Sequence, residues 1–562
     1  MDTATLNQDL QSPLDLFYHW EKTKPDTIFL RQPKGDTWKT LTYAEAGQEA
    51  RKMAAALQTM NLQKGDHIGI LSKNCYHWIL ADLAIMIGGF VSVPYYASLP
   101  TKQLEEVLNL SDVKALFVGK LDKWGNKIEA LSADLKIIKF PHYEGNAKID
   151  VGENWDDLIS SHAPIEGNEP RDLDELWTIL FTSGTTGRPK GVMHSFRNPA
   201  LLARIEKTTN FIGVHKMKNQ RFFSYLPLNH VGERIGVELN CLTVGGSISF
   251  AESIETFAKN IQGTQPSLLF GVPRIWTKFY LGVLAKMPEK KLNTVLKIPI
   301  LSKIIKKKLT TALGLSEIEI AATGAAITPG FLKTWYKKLG IHLIEAYGMT
   351  EVCGSISNSP QEDAPYDSVG VAVPYCELKI HPETQEILMK APYQMLGYYK
   401  SPDKTAEVIQ DGWIHSGDRG TLDENGYLRV IGRVKDAFKT SKGSYIVPNP
   451  MEEILAENDC IENVCVVGLG CPAPLAIVNL SEIGVGQNKT EIETSLNNAV
   501  QKINAELSNY NKISTIIIDK ETWSEDNRIL TPTLKVRRPR IDELYGNLYS
   551  NWHEEKSKVI WK

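Results

Sequence analysis

Apolar residues recur at spacings of four and three through Ala46, Ala50, Met53, Leu57 and Met60, and Thr42 followed by Glu45 forms a capping box. This pattern predicts a helix that begins after Thr42 and buries one face against a sheet. The stretch Asp66–Ser72 reads as a strand, Trp78–Ile87 as a helix and Phe90–Tyr95 as a second strand. Asp82, Gly88 and Gly89 interrupt the apolar run from Trp78 to Val93, and Pro94 follows it, so it is too short and broken to span a bilayer and reads as a buried helix leading into a strand. The strand rhythm returns at Leu176–Phe181, Ser267–Val272 and Ile318–Ala322. Strands alternating with helices predict an α/β protein of layered sheets.

From about Tyr375 the pattern changes to short alternating runs, Glu377–His381 and Gly426–Ile431, separated by Gly, Asp and Pro. A small, mostly antiparallel β unit is expected over about 375–432. Beyond Arg433 the mixed pattern resumes, with a strand at Val464–Val467, a polar helix near Lys489–Leu507 and a strand at Ser514–Ile518. A boundary at Val434–Asp436 divides the chain into a large N-terminal part, 1–432, and a smaller α+β C-terminal domain, 433–562. No fixed-period repeat is evident.

The length of 562 residues allows about three or four domain-sized units, and 42% hydrophobic with 23% charged residues is the composition of a globular protein. A formal charge of −3 gives no global basic field and so no reason to expect a nucleic acid partner. The seven cysteines are scattered, without a CxxC pair or histidines at zinc-ligand spacing, and read as reduced thiols of a cytoplasmic protein. The first twenty residues lack the basic start and apolar core of a secretory signal.

The sharpest chemical signal is the segment Thr182–Gly191, TSGTTGRPKG, directly after Leu180 and Phe181. Its glycines let the backbone approach an anion, its hydroxyls donate to phosphate oxygens, and Lys190 adds charge, so it suits a polyphosphate. It is not a Walker A loop, because Pro189 precedes Lys190 and no Ser or Thr follows it. A flexible surface loop is the plainer alternative.

With Tyr347–Glu351 (YGMTE), Gly412–Asp418, Gly432–Asp436 and Leu530–Lys535 (LTPTLK), this loop resembles the adenylate-forming superfamily of acyl-CoA synthetases, luciferases and peptide-synthetase adenylation domains, in the family's order. Tyr225–His230 with Glu233, Gly271–Trp276 and Phe438–Ile446 are similar to the long-chain fatty acyl-CoA synthetase branch. The resemblance implies that ATP activates a fatty acid as acyl-adenylate, with release of pyrophosphate, and that CoA then displaces AMP.

The same resemblance implies roles for single residues. Lys535 is the expected catalytic cation, and Glu351 with Thr182 the expected holder of Mg2+. Thr182, Ser183, Gly184, Thr185, Thr186, Gly187 and Lys190 would surround the phosphates, and Thr350 would reach the AMP phosphate. Tyr347 would stack on adenine opposite Gly324, Ala325 and Ala326, within a nucleotide site that also takes in Glu345, Ala346, Gly348 and Met349. Asp418 and Arg433 would hold the ribose. His230, Val272 and Arg274 are expected near the acyl chain, with Trp276 either there or in the core, and Lys442 and Gly443 near CoA. Ser444 stands where the branch often has Glu. Lys435 matches the family's hinge.

The stretch 296–309 mixes apolar residues with five lysines, a composition suited to a helix lying on an anionic membrane; a solvated basic helix packed by Ile304 and Leu309 explains it equally. Three readings compete with CoA ligation: an acyl-AMP ligase serving a carrier protein, luciferase-like oxidation, and a catalytically silent acyl- or nucleotide-binding protein. Chain length and oligomeric state are not encoded in these motifs.

Overall fold

A computed structural model describes residues 6–183, 189–443, 445–507, 511–531 and 534–562. The predicted helix runs Tyr43–Gln58, with Thr42 and Glu45 forming the reciprocal cap, and Ala46, Ala50, Met53 and Leu57 buried along one face. The second helix, Tyr76–Gly88, is buried on all sides from Tyr76 to Met86.

Two large sheets explain why. One has eight strands, in the order Gly397–Tyr398, Pro189–Ser195, Leu176–Ser183, Val91–Tyr95, His67–Leu71, Ala115–Val118, Lys136–Lys139 and Glu153–Asn154. The other has nine, with Leu343–Tyr347, Ile320–Gly324, Leu268–Gly271, Arg221–Ser224 and Ser247–Phe250 as its parallel centre. Successive strand residues point to opposite faces. Ala115 and Phe117 accordingly join the same core as Phe222 and Leu268 of the other sheet, together with the helices Tyr43–Gln58 and Tyr76–Gly88 between the sheets. Leu116 and Val118 face outward onto Leu104 and Val107. Phe223 and Leu269 face Trp276, Trp335 and Tyr336 on the far side of the second sheet. Helices therefore cover both faces of each sheet, which is what parallel strands apolar on both faces require.

The β unit forms a five-stranded antiparallel sheet from Glu377–Ile380, Glu386–Lys390, Ile409–Gln410, Trp413–Leu422 and Leu428–Arg433. Gly397–Tyr398 departs from the local pattern: it leaves this unit and pairs with Pro189–Ser195 of the eight-stranded sheet. After the turn 434–436, where Val434 and Lys435 are exposed, a two-stranded ribbon leads to the C-terminal sheet. That sheet orders Ile461–Val467, Leu475–Leu480, Thr515–Ile518 and Val559–Trp561, its first pair antiparallel and the other two parallel. The helix Lys489–Glu506 packs on it through Ile492, Leu496, Val500 and Ile503. Among the described residues no helix is long and apolar enough to cross a membrane.

Candidate active site

A cavity of about 1500 Å³ opens where the two large sheets, the β unit and the C-terminal part meet. Thr182, Lys190, Ala346, Gly348, Met349, Thr350 and Glu351 line it from the large sheets, Ser416, Gly417 and Arg433 from the β unit, and Lys535 from the C-terminal part. A second arm is apolar, with Leu202, Ile205, Phe211, Ile212, Ile235 and Leu239 on its walls. One cavity thus joins a polar, cationic chamber to a greasy one.

Lys535 enters this chamber on a short bend. Leu530 and Val536 pair as an isolated antiparallel bridge, the Thr531 amide donates to the Lys535 carbonyl at 2.8 Å, and the Lys535 amide donates to Thr531 Oγ1 at 3.0 Å. Leu534 is left-handed at φ +60°, which a β-branched residue would resist, and its side chain packs with Leu226, Phe270 and Val272. Burial, then Arg433, lowers the Lys535 ammonium to about 8 against the opposing pull of Asp418.

Asp418 and Arg433 face each other across the Trp413–Leu422 and Leu428–Arg433 strands, with Arg433 Nε 2.9 Å from Asp418 Oδ1. Tyr347 Oη donates to Asp418 Oδ2 at 2.9 Å. The carboxylate is therefore clamped from both sides, and burial raises its pKa against the pull of Arg433 and Tyr347. Gly348 is required by close packing, because a Cβ there would lie 2.2 Å from the Gly354 carbonyl oxygen.

Glu351 is buried at the cavity wall, and Tyr398 Oη donates to its Oε1 at 2.6 Å. Lys190 Nζ lies 4.8 Å from the centre of the Tyr398 ring. Tyr398 escapes sequence reasoning because only the long-range pairing of Gly397–Tyr398 brings it here. His194 escapes for the same reason. Asn198 donates to its Nδ1 at 2.9 Å, so Nε2 carries the proton and donates to the Thr350 carbonyl at 2.7 Å. Burial holds His194 neutral, at about 4.

His230 lines the cavity, and its Nδ1 accepts from the Gly232 amide at 3.1 Å. Burial, then Lys535, lowers it to about 4, so it presents a neutral ring. The following turn, Arg234–Leu239, is a π-helix, a form that tends to occur at functional sites, and it supplies Ile235, Gly236 and Leu239 to the apolar arm.

Several expected residues stand elsewhere. Glu345 is not part of the cavity wall: its carboxylate pairs with Lys333 and accepts from the Thr328 amide at 2.8 Å. Arg274 Nη2 is 2.8 Å from Glu462 of the C-terminal part, and Val272 packs beneath the wall with Phe270 and Leu226. Trp276 is core, fully buried edge-on against Tyr336 at 5.2 Å. Ile304, the packing residue expected in 296–309, is 56% exposed, whereas Leu309 packs inward. Ala325 lines the cavity at φ +67°, with Gly324 behind it and Ala326 exposed beside it. Lys435 reaches the cavity from the 434–436 turn, whereas Lys442 and Gly443 are exposed outside it. Gly184, Thr185, Thr186, Gly187 and Ser444, with the side chain of Ser183, lie outside the described residues.

Comparison with known proteins agrees with this architecture. The family model described as AMP-binding enzyme matches residues 17–399, and the AMP-binding enzyme C-terminal domain matches 435–551. Fatty acyl-CoA synthetase A of Dictyostelium discoideum is 29% identical over 93% of this chain and 87% of its own length. Long chain acyl-CoA synthetase 2 of Arabidopsis thaliana is 26% identical over 99% and 94%. Among solved structures, the A domain of carboxylic acid reductase from Segniliparus rugosus, in complex with AMP and a co-purified carboxylic acid, superposes with a TM-score of 0.80 at 20% identity, covering 99% of this chain and 96% of that one. The anthranilate CoA ligase AuaEII reaches 0.77 at 18% identity, covering 98% and 100%. With 17–399 matched, the chain belongs to the AMP-binding enzyme family of adenylate-forming enzymes, and it is similar to long-chain acyl-CoA synthetases.

Proposed function

We propose that this protein is an ATP-dependent fatty acid:CoA ligase with a preference for long-chain acids. The observation that carries this reading is the joined cavity, in which the Lys535 ammonium, beside Asp418 and Arg433, meets an apolar arm lined by Leu202, Ile205, Phe211 and Leu239. The names of the relatives support the same substrate class.

In this reading the fatty acid carboxylate attacks the α-phosphorus of ATP, a P–O bond to pyrophosphate breaks, and negative charge grows on the phosphate oxygens. Thr182, Ser183, Gly184, Thr185, Thr186, Gly187 and Lys190 take the phosphates, with Thr350 at the α-phosphate and Lys535 bridging it to the acid. Each preorganised donor contributes about 3–4 kcal/mol to the transition state. Tyr347 stacks on adenine opposite Gly324, Ala325 and Ala326, and Asp418 with Arg433 binds the ribose. The acyl chain fills the apolar arm beside neutral His230. The CoA thiol then attacks the acyl carbon, the C–O bond to AMP breaks, and the thiol proton is lost as the thioester forms.

Mg2+ is the metal this chemistry implies. Among the described residues no three His, Cys, Asp or Glu side chains gather as a metal site, while Glu351 and Thr182 offer one carboxylate and one hydroxyl at the wall. That sparse oxygen set fits Mg2+, which prefers one or two carboxylates plus substrate phosphates. Bound there, it would supply neutralisation of phosphate charge.

Fatty-acid-dependent exchange of labelled pyrophosphate into ATP tests the first step. Exchange should appear with palmitate and Mg2+ and decline above pH about 8. Lys535 is charged below its pKa of about 8 and neutral above it, with bound phosphates moving the midpoint upward. Absence of exchange with every fatty acid would refute adenylation.

Two steps at one site require two arrangements, since Lys535 occupies the chamber that the thiol must enter. We assign the division at 432/433, with residues 1–432 as the adenylate-forming domain, 375–432 as its β unit and 433–562 as a domain that rotates about Lys435. The Lys442–Gly443 loop then approaches CoA after rotation. Lys435→Pro should spare pyrophosphate exchange and slow thioester formation about tenfold or more, as the ring fixes φ and restricts Val434. Single-turnover kinetics would show it, and equal thioester rates in variant and parent would rule out a hinge at that residue.

A further inference from the structure

The helix Pro299–Ala312 is amphipathic in the wrong sense for a water-facing element. Its inward side packs through Ile305 and Leu309 on the core around Trp276, Tyr280 and Leu292, yet none of its residues is buried. Ile300 and Ile304, one turn apart, share the opposite side at 76% and 56% exposure. Leu301 and, just before the helix, Ile298 extend the patch at 43% and 46% exposure. Of the fourteen exposed large hydrophobic side chains among the described residues, these four fall within seven consecutive positions.

Lysines surround them. Exposed Lys303 and Lys307 flank Ile300 and Ile304 on one side of the helix and exposed Lys308 lies on the other, while exposed Lys297 stands just before the helix and half-buried Lys306 lies toward its packed side. Residues 286–312 contain eight lysines and one acid, a formal +7 within a chain whose total is −3. That acid, Glu289, is itself 3.5 Å from Lys338.

We propose that this helix is a docking surface for anionic lipid bilayers. Ile298, Ile300, Leu301 and Ile304 insert among the acyl chains near the headgroups, while the lysine stems lie along the interface and their ammonium groups meet lipid phosphates. The arrangement fits a layered partner, greasy in one plane and anionic in the next, because the apolar residues spread along a convex helix and the cations sit on both flanks. A protein groove would need a concave apolar cleft ringed by acids. The docking stands on these residues alone and does not depend on the reaction catalysed.

The test sediments the full-length protein with phosphatidylcholine vesicles, with and without phosphatidylglycerol. Two variants are compared: Ile300→Ser with Ile304→Ser, and Lys306→Gln with Lys307→Gln and Lys308→Gln. The parent should bind the anionic vesicles, release at high salt, and bind phosphatidylcholine weakly. Each lysine near an anionic surface strengthens binding about fivefold, so the triple variant should lose about a hundredfold. The isoleucine pair should cost at least about tenfold. Thermal unfolding controls for fold, and pyrophosphate exchange with a short, water-soluble acid reports separately on the reaction. Unchanged vesicle binding in either variant, or equal binding of the parent to neutral and anionic vesicles, would overturn the proposal, as would no binding at all.

Discussion

Lys535→Ala will lower acyl-adenylate formation about 10²–10³-fold while leaving the conversion of supplied acyl-AMP to thioester near the parental rate. Loss of one preorganised donor at a developing charge accounts for that magnitude. The asymmetry is the informative part. The ammonium sits in the same chamber as Arg433 and near Asp418, where the α-phosphate would lie in the proposed first step, whereas the proposed second step withdraws it so that the thiol can enter and leaves the charge growing on the departing AMP phosphate to other donors. Lys535→Arg adds a second readout. A guanidinium stays charged at alkaline pH, so the residual exchange activity should lose the decline above about 8. Equal loss in both half-reactions would mean that Lys535 holds the site together rather than acting in one step.

Arg234→Met will destabilise the protein by about 3–5 kcal/mol, the cost of leaving a partner charge buried and unpaired. Arg234 is inaccessible; its Nη2 lies 2.5 Å from Asp82 and its Nε 3.3 Å from Glu238, while Nη1 donates to Thr178 at 2.9 Å. The guanidinium also lies 4.2 Å from the centre of the Trp177 ring. Burial raises the Glu238 carboxyl against the pull of Arg234, and Asp82 adds to the rise. The cluster ties the π-helix Arg234–Leu239 to the buried helix Tyr76–Gly88 and to the strand Leu176–Ser183, and so fixes one wall of the apolar arm. Thermal unfolding should show the loss, and Asp82→Leu added to Arg234→Met should recover much of it by removing the stranded anion. A single variant as stable as the parent would show that the cluster is slack.

What could be read from the chain divides along the range of the contacts. The cap at Thr42 and Glu45 involves neighbours three residues apart, and the short apolar run Phe90–Tyr95 is a strand buried along its whole length from Val91 to Tyr95, so pattern alone located both elements. The motif around Lys535 was legible, whereas the left-handed Leu534 that aims it was not. Tyr398 and His194 became visible only in three dimensions. Tyr398 reaches Glu351 through a pairing of strands more than two hundred residues apart, and His194 reaches Thr350 across 156 residues. Glu345 lies inside a nucleotide-type motif, but its carboxylate is held by Lys333. Arg274 follows a buried strand and instead meets Glu462, a partner that exists only when the C-terminal part is docked. Local rules see an element and its caps, while a charged residue's partner depends on the packing of distant segments.

The proposed function is that the joined cavity activates a long-chain acid and passes it to CoA. Its most direct test is thioester, AMP and pyrophosphate formation from ATP and Mg2+ across saturated acids from acetate to stearate, each with and without CoA. The predicted result is equimolar AMP, pyrophosphate and acyl-CoA, greatest with long acids and dependent on CoA. Pyrophosphate release without thioester in the presence of CoA, or turnover confined to acetate and its short relatives, would contradict it.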